Sequence, residues 1–96
     1  FRNTVIRKGV TLGANCTIIC GSEIGSYAFI GAGSLINKDV KPYALIVGLP
    51  GEQIGWMSKY GERINLPIEG NGSWECKKTK TLYTLRNKFI NASTMN

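Results

Sequence analysis

Residues 6–41 read IRKGVT, LGANCT, IICGSE, IGSYAF, IGAGSL and INKDVK, and this stretch decides the fold of the chain. Each hexapeptide opens with an aliphatic residue, and a small residue follows it four positions later. The aliphatic column is Ile6, Leu12, Ile18, Ile24, Ile30 and Ile36, and the small column is Val10, Cys16, Ser22, Ala28, Ser34 and Val40. A fixed six-residue period predicts a parallel β-helix. Ordinary strands of period two are the alternative, and they require apolar residues at many intermediate positions.

The spacing predicts the geometry of a coil. Each hexapeptide contributes a short strand and a turn, so three of them close a triangular coil of 18 residues. The aliphatic residue is expected to fill the axis and the small residue to lie near a corner. The glycines after the aliphatic residue, Gly13, Gly25 and Gly31, are expected to adopt backbone geometry that other residues resist. Successive coils stack about 4.8 Å apart and pair in parallel.

Length and charge limit what the chain does. Its 96 residues make one small domain, and six hexapeptides give only two coils. Repeat stacks usually need three or more units. We therefore expect the C-terminal part of a longer protein that relies on neighbouring subunits.

Of the net charge of +6, most lies in residues 75–96, with five basic groups and one acidic group. No nucleic-acid motif accompanies this basic tail, so we expect a solvated segment and no nucleic-acid partner.

The cysteine pattern favours a reducing compartment. Cys16, Cys20 and Cys76 are odd in number and contain no CxxC pair, so a disulfide framework is not expected. No apolar stretch is long enough to span a membrane. The sequence therefore predicts a cytoplasmic protein without a membrane partner.

Three segments follow from the breaks in the pattern. Residues 1–50 are predicted to form the coils, with Pro42 ending the regular repeat and Leu45–Val47 adding a strand. Residues 51–66 are predicted to form a short helix or loop packed on the last coil, with Trp56 and Tyr60 as packing anchors. Residues 67–96 are predicted to be a linker and a small β-hairpin or meander tail with frayed final residues. The fold class is thus all-β apart from a short irregular or helical segment.

The residues point to binding more readily than to catalysis. Histidine is absent, and the carboxylates show no paired spacing, so no catalytic residue and no metal site are assigned. Gly13-Ala14 and Gly31-Ala32-Gly33 lie one coil apart and should stack into a smooth groove for a long, amide-bearing ligand. Lys38 and Lys41 follow in the same coil and are candidates for phosphate contacts. The alternative interpretation, which the residues support equally, is that the glycines serve only the corners and the lysines are solvated.

The segment IGAGSLINKDVKPYALIVGLPG resembles the closing segment of the hexapeptide-repeat acyltransferases, and the resemblance extends from residue 4 to about residue 64. It implies a left-handed parallel β-helix, a homotrimer and acetyl-CoA as co-substrate. The run GEQIGWMSKYGERI is similar to enzymes that acetylate the 3-amino group of UDP-2-acetamido-3-amino-2,3-dideoxy-glucuronate. This narrower resemblance implies an N-acetyltransferase of nucleotide sugars, active in polysaccharide biosynthesis.

Position by position, the resemblance implies four cofactor-binding residues. Ala14 and Ala32 match the small residues that border the pantetheine arm of CoA, and Asn37 and Lys38 match a Thr-Lys pair near its nucleotide end. Where the family often carries a basic residue, this chain has Gly51-Glu52. The alternatives are a non-catalytic β-helix that serves as a trimerisation or scaffold module, and an acyltransferase with a different acceptor.

Overall fold

A computed structural model describes residues 3–94, and every regular element in that range is a β-strand. Within it there is no helix long and apolar enough to cross a membrane. Phe1, Arg2, Met95 and Asn96 lie outside the described residues, so the ends of the predicted segments 1–50 and 67–96 are not described. Six two-residue strands form the coils: β1 Val5–Ile6, β2 Thr11–Leu12, β3 Thr17–Ile18, β4 Glu23–Ile24, β5 Phe29–Ile30 and β6 Leu35–Ile36.

The six strands stack as a triangular prism with the predicted stagger. Strands β1, β2 and β3 pair in parallel with β4, β5 and β6, and each residue lies opposite the one 18 positions later, as Val5 does with Glu23. We call the face of β1 and β4 the first face, that of β2 and β5 the second, and that of β3 and β6 the third. The first corner contains residues 8–9 and 26–27, the second 14–15 and 32–33, and the third 20–21 and 37–39.

The left-handed backbone conformation recurs at the corners, where it turns the chain. One residue of each turn has φ between 61° and 91°, at a strict interval of six: Gly9, Asn15, Gly21, Tyr27 and Gly33. Gly13, Gly25 and Gly31 have no positive φ, so their expected role was wrong. They are small because the next coil crosses directly over them. A methyl group at Gly13 would lie 2.4 Å from the backbone nitrogen of Ala32, and one at Gly25 equally close to that of Pro42.

In the second coil the two columns fill the interior as predicted, except at one residue. Ile24, Ile30 and Ile36 are buried on the axis, and the hydroxyl of buried Ser34 accepts a hydrogen bond from the N–H of Gly48 at 3.2 Å. Val40 is the exception, because it bridges to Ile24 and so takes an aliphatic position. The stagger shortens there from 18 residues to 16. At the opposite end of the prism, Ile6 and Leu12 are 49% and 42% exposed.

The segment after Pro42 adds one parallel strand and two antiparallel strands to the end of the prism. Strand β7, Ala44–Val47, pairs in parallel with β5 and continues the second face, as predicted. The chain then reverses through a turn with a cis Leu49–Pro50 peptide bond. Strand β8, Glu52–Met57, pairs antiparallel with β7, and β9, Arg63–Ile64, pairs antiparallel with β8.

The short helix predicted within residues 51–66 was therefore wrong. The edge of β7 offers unpaired backbone groups, and pairing with them outweighs a helical propensity already weakened by Gly55. Trp56 is a packing anchor, as expected: it is fully buried and its Nε1–H donates to the Pro67 carbonyl at 2.8 Å. Tyr60 is 64% exposed, so the same expectation was wrong for it.

Residues 70–94 form a three-stranded antiparallel meander, one of the two arrangements predicted for this tail. Its strands are β10 Gly70–Cys76, β11 Thr81–Asn87 and β12 Phe89–Thr94. Asn87, the last residue of β11, has φ 63° where the chain turns into β12. Residues 91–94 are paired strand, which corrects the expectation of a frayed end for that part. Alternating burial along β11 explains the pairing, because its buried side chains face the prism.

Three tyrosines join the meander to the first corner. The rings of Tyr27 and Tyr43 stack with centroids 5.6 Å apart, and Tyr83 of β11 meets Tyr43 edge-on at the same distance. The Tyr83 hydroxyl accepts a hydrogen bond from the N–H of Lys59 at 3.1 Å. Burial raises the pKa of Tyr43 to about 12 and also raises that of Tyr83. The meander and the coils thus share one hydrophobic core.

Candidate ligand-binding site

The second corner brings Ala14 and Ala32 together, as the sequence predicts. The carbonyl of Ala14 accepts a hydrogen bond from the N–H of Gly33 at 2.9 Å, and the backbone of Gly13 crosses against Ala32. Ala14, Ala32 and Gly33 are exposed. The corner is therefore a narrow, smooth edge of main chain without bulky side chains, a shape that admits an extended ligand.

The carbonyl of Ala32 differs from three of its counterparts in the turns. The carbonyls of Lys8, Ala14 and Ser26 each accept a hydrogen bond from the next coil. Within residues 3–94 no donor meets the carbonyl of Ala32, because the chain leaves the prism after β7. This exposed acceptor is able to bind an amide N–H of a ligand.

The structure places Asn37 and Lys38 at the third corner, one face away from Ala32. Both are exposed. The Lys38 ammonium lies 3.9 Å from a carboxylate oxygen of Glu52, and both side chains are largely exposed. Glu52 occupies the place where the resemblance led us to expect a basic residue. Its carboxylate partly neutralises Lys38, and an exposed pair of this kind is weak enough for a phosphate to compete.

A cleft of about 640 Å³ lies between the first face and the meander. We call it the coil–meander cleft. Its polar lining includes Arg7, Glu23, Asp39 and Lys41, and Phe89 of β12 forms its far wall. The Lys41 ammonium lies 5.5 Å from the centre of the Phe89 ring. Of this group the sequence predicts only Lys41 as a ligand contact, because residues 7, 39 and 89 become neighbours only once the coils close and the meander docks.

A second cleft of about 390 Å³ adjoins the first and contains Lys38 and Glu52. Asp39, Val40 and Lys41 line both clefts and form a ridge between them. The ridge coincides with the shortened stagger, where the coil loses two residues. The interruption of the repeat therefore separates two neighbouring depressions at the third corner.

The two clefts are suited to binding a ligand through charged side chains, main-chain groups and apolar contacts. In the described part of the chain no group of His, Cys, Asp and Glu side chains is arranged to hold a metal ion. Cys16, Cys20 and Cys76 are free thiols. The structure supplies cations, exposed backbone and an aromatic wall, and no catalytic residue is assigned.

Comparison with known sequences identifies the repeat. Residues 3–38 match the family described as bacterial transferase hexapeptide, six repeats. The hexapeptide coils of this chain belong to that family. The match covers the coils that carry Ala14 and Ala32, while the ridge, β7–β9 and the meander lie beyond it.

Two curated relatives are acetyltransferases. A dTDP-3-amino-3,6-dideoxy-alpha-D-galactopyranose 3-N-acetyltransferase of Aneurinibacillus thermoaerophilus is 35% identical over 78 residues, covering 81% of this chain and 40% of that protein. A chloramphenicol acetyltransferase of Klebsiella aerogenes is 44% identical over 79 residues, covering 81% of this chain and 37% of that protein. The chain thus spans about two fifths of the length of these two relatives.

A solved structure confirms the fold class. A hexapeptide-repeat-containing acetyltransferase of Vibrio cholerae, complexed with acetyl-CoA, is 33% identical with a TM-score of 0.56. The match covers 57% of this chain and 30% of that one. The predicted left-handed parallel β-helix is therefore confirmed. The roles of Ala14, Ala32, Asn37 and Lys38 stay predictions.

Proposed function

We propose that this chain forms part of an acetyl-CoA-dependent N-acetyltransferase that acts on an amino group of a nucleotide-linked sugar. The observation that carries this proposal is the match of 81% of the chain to a relative named as an N-acetyltransferase of a dTDP-linked amino sugar. The exposed main chain at Ala14 and Ala32 supports it, because CoA has an extended arm with amide groups. The narrower UDP-linked uronate suggested by residues 52–64 is one member of the same acceptor class.

The second corner would position the co-substrate. The free carbonyl of Ala32 accepts an amide N–H of the pantetheine arm, and the absence of side-chain bulk at Ala14 and Gly33 lets the arm lie against the backbone. Asn37 and Lys38 then lie at the next corner for polar contacts with phosphate.

The reaction is amide formation between two bound reactants. The sugar amine attacks the acetyl carbonyl of the thioester, the C–S bond breaks, and the proton lost by the amine passes to the leaving thiolate. This chain's contribution is to hold the thioester in place, and positioning of this kind accounts for a large share of such rate enhancement.

Three further features belong to this proposal. We place the reaction in the cytoplasm, where free thiols such as Cys20 stay reduced, and in the biosynthesis of polysaccharides. We propose a homotrimer, in which neighbouring subunits supply the walls that a single narrow prism lacks.

A second candidate is an acetyltransferase with a different acceptor. The 44% identity to a chloramphenicol acetyltransferase favours it, since this relative matches the same share of the chain as the sugar enzyme does. A scaffold role without catalysis is the remaining alternative. All the candidates share the prism, so the fold alone does not separate them.

The test is a titration of acetyl-CoA into the protein at its natural length, followed by an assay of thiol release with two acceptors. We expect saturable binding and turnover with a dTDP-linked 3-amino sugar but not with chloramphenicol. Turnover with chloramphenicol alone would establish the second candidate. A folded protein that does not bind acetyl-CoA would contradict both and leave the scaffold role. Light scattering on the same sample measures whether the protein is a trimer.

A further inference from the structure

We propose that the coil–meander cleft binds the nucleoside diphosphate part of the acceptor, with Lys41, Arg7 and Phe89 as its contacts. This inference rests on the proposed function and adds the location of its second substrate. The cleft volume of about 640 Å³ falls within the range of small-molecule sites in proteins.

Lys41 is the cation available to an anionic ligand. In residues 3–94 no carboxylate lies within ion-pairing distance of its ammonium, whereas Lys38 is paired with Glu52. The Lys41 side chain extends to the Phe89 ring, with the ammonium 5.5 Å from the ring centre. A phosphate entering the cleft therefore meets a positive charge that forms no ion pair within the described residues.

Arg7 is paired through one nitrogen, which leaves its outer donors free. Its Nε donates to the Glu23 carboxylate at 3.1 Å, and neither terminal nitrogen has a partner in the described range. A guanidinium fixed through Nε presents two parallel N–H donors, the geometry that matches phosphate oxygens. Arg7 and Lys41 line the same cleft and suit two neighbouring phosphates.

Each carboxylate of the cleft already accepts a hydrogen bond. Glu23 is paired with Arg7, and one oxygen of Asp39 accepts the N–H of Glu23 at 2.8 Å. The second oxygen of Asp39 is left for a neutral hydroxyl donor such as a ribose or sugar hydroxyl.

Phe89 and Pro42 give the cleft an apolar wall suited to a flat ring. Phe89 is 54% exposed although it begins a paired strand, and the tight turn at Asn87 fixes its position. Any of the nucleobases can stack on an aromatic side chain, because each base has a flat π-face. A flat apolar surface beside two cations fits a nucleoside diphosphate better than it fits an acidic peptide or a free anion.

The location also fits a two-substrate reaction. The ridge of residues 39–41 separates the coil–meander cleft from the cleft that holds Lys38, so the two ligands would approach each other across one narrow strip of chain. Lys41, Pro42 and Phe89 lie beyond residues 3–38, the part shared with the hexapeptide family. The two relatives are named for different acceptors. This difference is consistent with acceptor recognition by residues outside the shared repeat.

The test is calorimetric titration of dTDP, and separately of acetyl-CoA, into the protein at its natural length. Lys41→Glu and Phe89→Ala alter the cleft. Lys78→Glu and Tyr60→Ala are their matched controls, since they change an exposed lysine and an exposed tyrosine elsewhere. We expect the Kd for dTDP to rise about tenfold in each cleft variant and to stay within twofold in the controls. The Kd for acetyl-CoA should be unchanged in Phe89→Ala, because Phe89 does not line the cleft of Lys38, and in both controls.

The possible outcomes separate the inference from the function on which it rests. Cleft variants that bind dTDP like the unaltered protein, or no dTDP binding at all, would overturn the site. If dTDP binding responds as expected but acetyl-CoA does not bind, the proposed function fails and the nucleotide site stands. Arg7→Lys keeps the charge and loses the parallel donors, so it should weaken dTDP binding several-fold and keeps the test decisive if Phe89→Ala does not fold.

Discussion

Asp39 replaces a missing backbone carbonyl for Glu23. In the regular coils the first strand residue donates its N–H to a carbonyl 17 residues later, as Val5 does to Ser22 and Thr17 does to Ser34. The two-residue shortening before Val40 removes that carbonyl for Glu23, and Oδ1 of Asp39 accepts the bond at 2.8 Å instead. A side chain thus completes the parallel ladder where the repeat is interrupted.

Loss of this acceptor should loosen the ridge. We expect Asp39→Ala to lower the free energy of unfolding by about 1 kcal/mol, since the bond is to a charged group but lies at the surface. Asp39→Asn keeps an oxygen acceptor and should recover at least half of the loss. Urea denaturation of the three proteins measures the effect. Equal losses in both variants would mean that the charge, and not the hydrogen bond, stabilises the ridge.

The close stacking of coils makes Gly13 less tolerant of an added side chain than Gly33 is. A methyl group at Gly13 would lie 2.4 Å from the Ala32 backbone, whereas one at Gly33 would meet nothing within 4 Å and only oppose a φ of 73°. We expect Gly13→Ala to cost about 3 kcal/mol or more and Gly33→Ala about 1 kcal/mol. Thermal unfolding of both variants tests the order. The reverse order would show that φ, and not coil spacing, selects glycine in this fold.

The tyrosine contact between coil and meander should weaken in alkali. Burial raises the pKa of Tyr43 from 10.0 to about 12, so the unfolded chain loses its proton first as the pH rises. The stabilising effect is complete below pH 10 and is lost between pH 10 and 12. Tyr43→Phe should therefore show a shallower fall of the urea midpoint over that window. Tyr60→Phe, at an exposed ring, is the control and should keep the steeper fall.

A bulky residue at the second corner should obstruct the proposed CoA arm. We expect Ala32→Phe to raise the Kd for acetyl-CoA at least tenfold, with little change in melting temperature because Ala32 is exposed. Lys8→Phe is a matched control, because Lys8 occupies the equivalent turn position on the first corner. Calorimetry measures both. Unchanged affinity in Ala32→Phe would contradict the assignment of this corner.

The period of the sequence was sufficient to predict the coils. One inward residue in every six fixes the strand positions, the stagger of 18 and the burial of Ile24, Ile30 and Ile36, since each depends only on neighbours at a constant distance along the chain. The same regularity placed Ala14 over Ala32. Where the spacing changes, the prediction failed, as it did for Val40.

The tertiary structure alone decided the rest. Residues 52–57 became a strand because β7 presented an edge, and three tyrosines, from residues 27, 43 and 83, met because the meander folded back onto the first corner. The coil–meander cleft joins residues 7, 41 and 89, and no local pattern relates positions so far apart. Repeated local spacing determined the prism, whereas long-range packing determined how it ends and which side chains line its clefts.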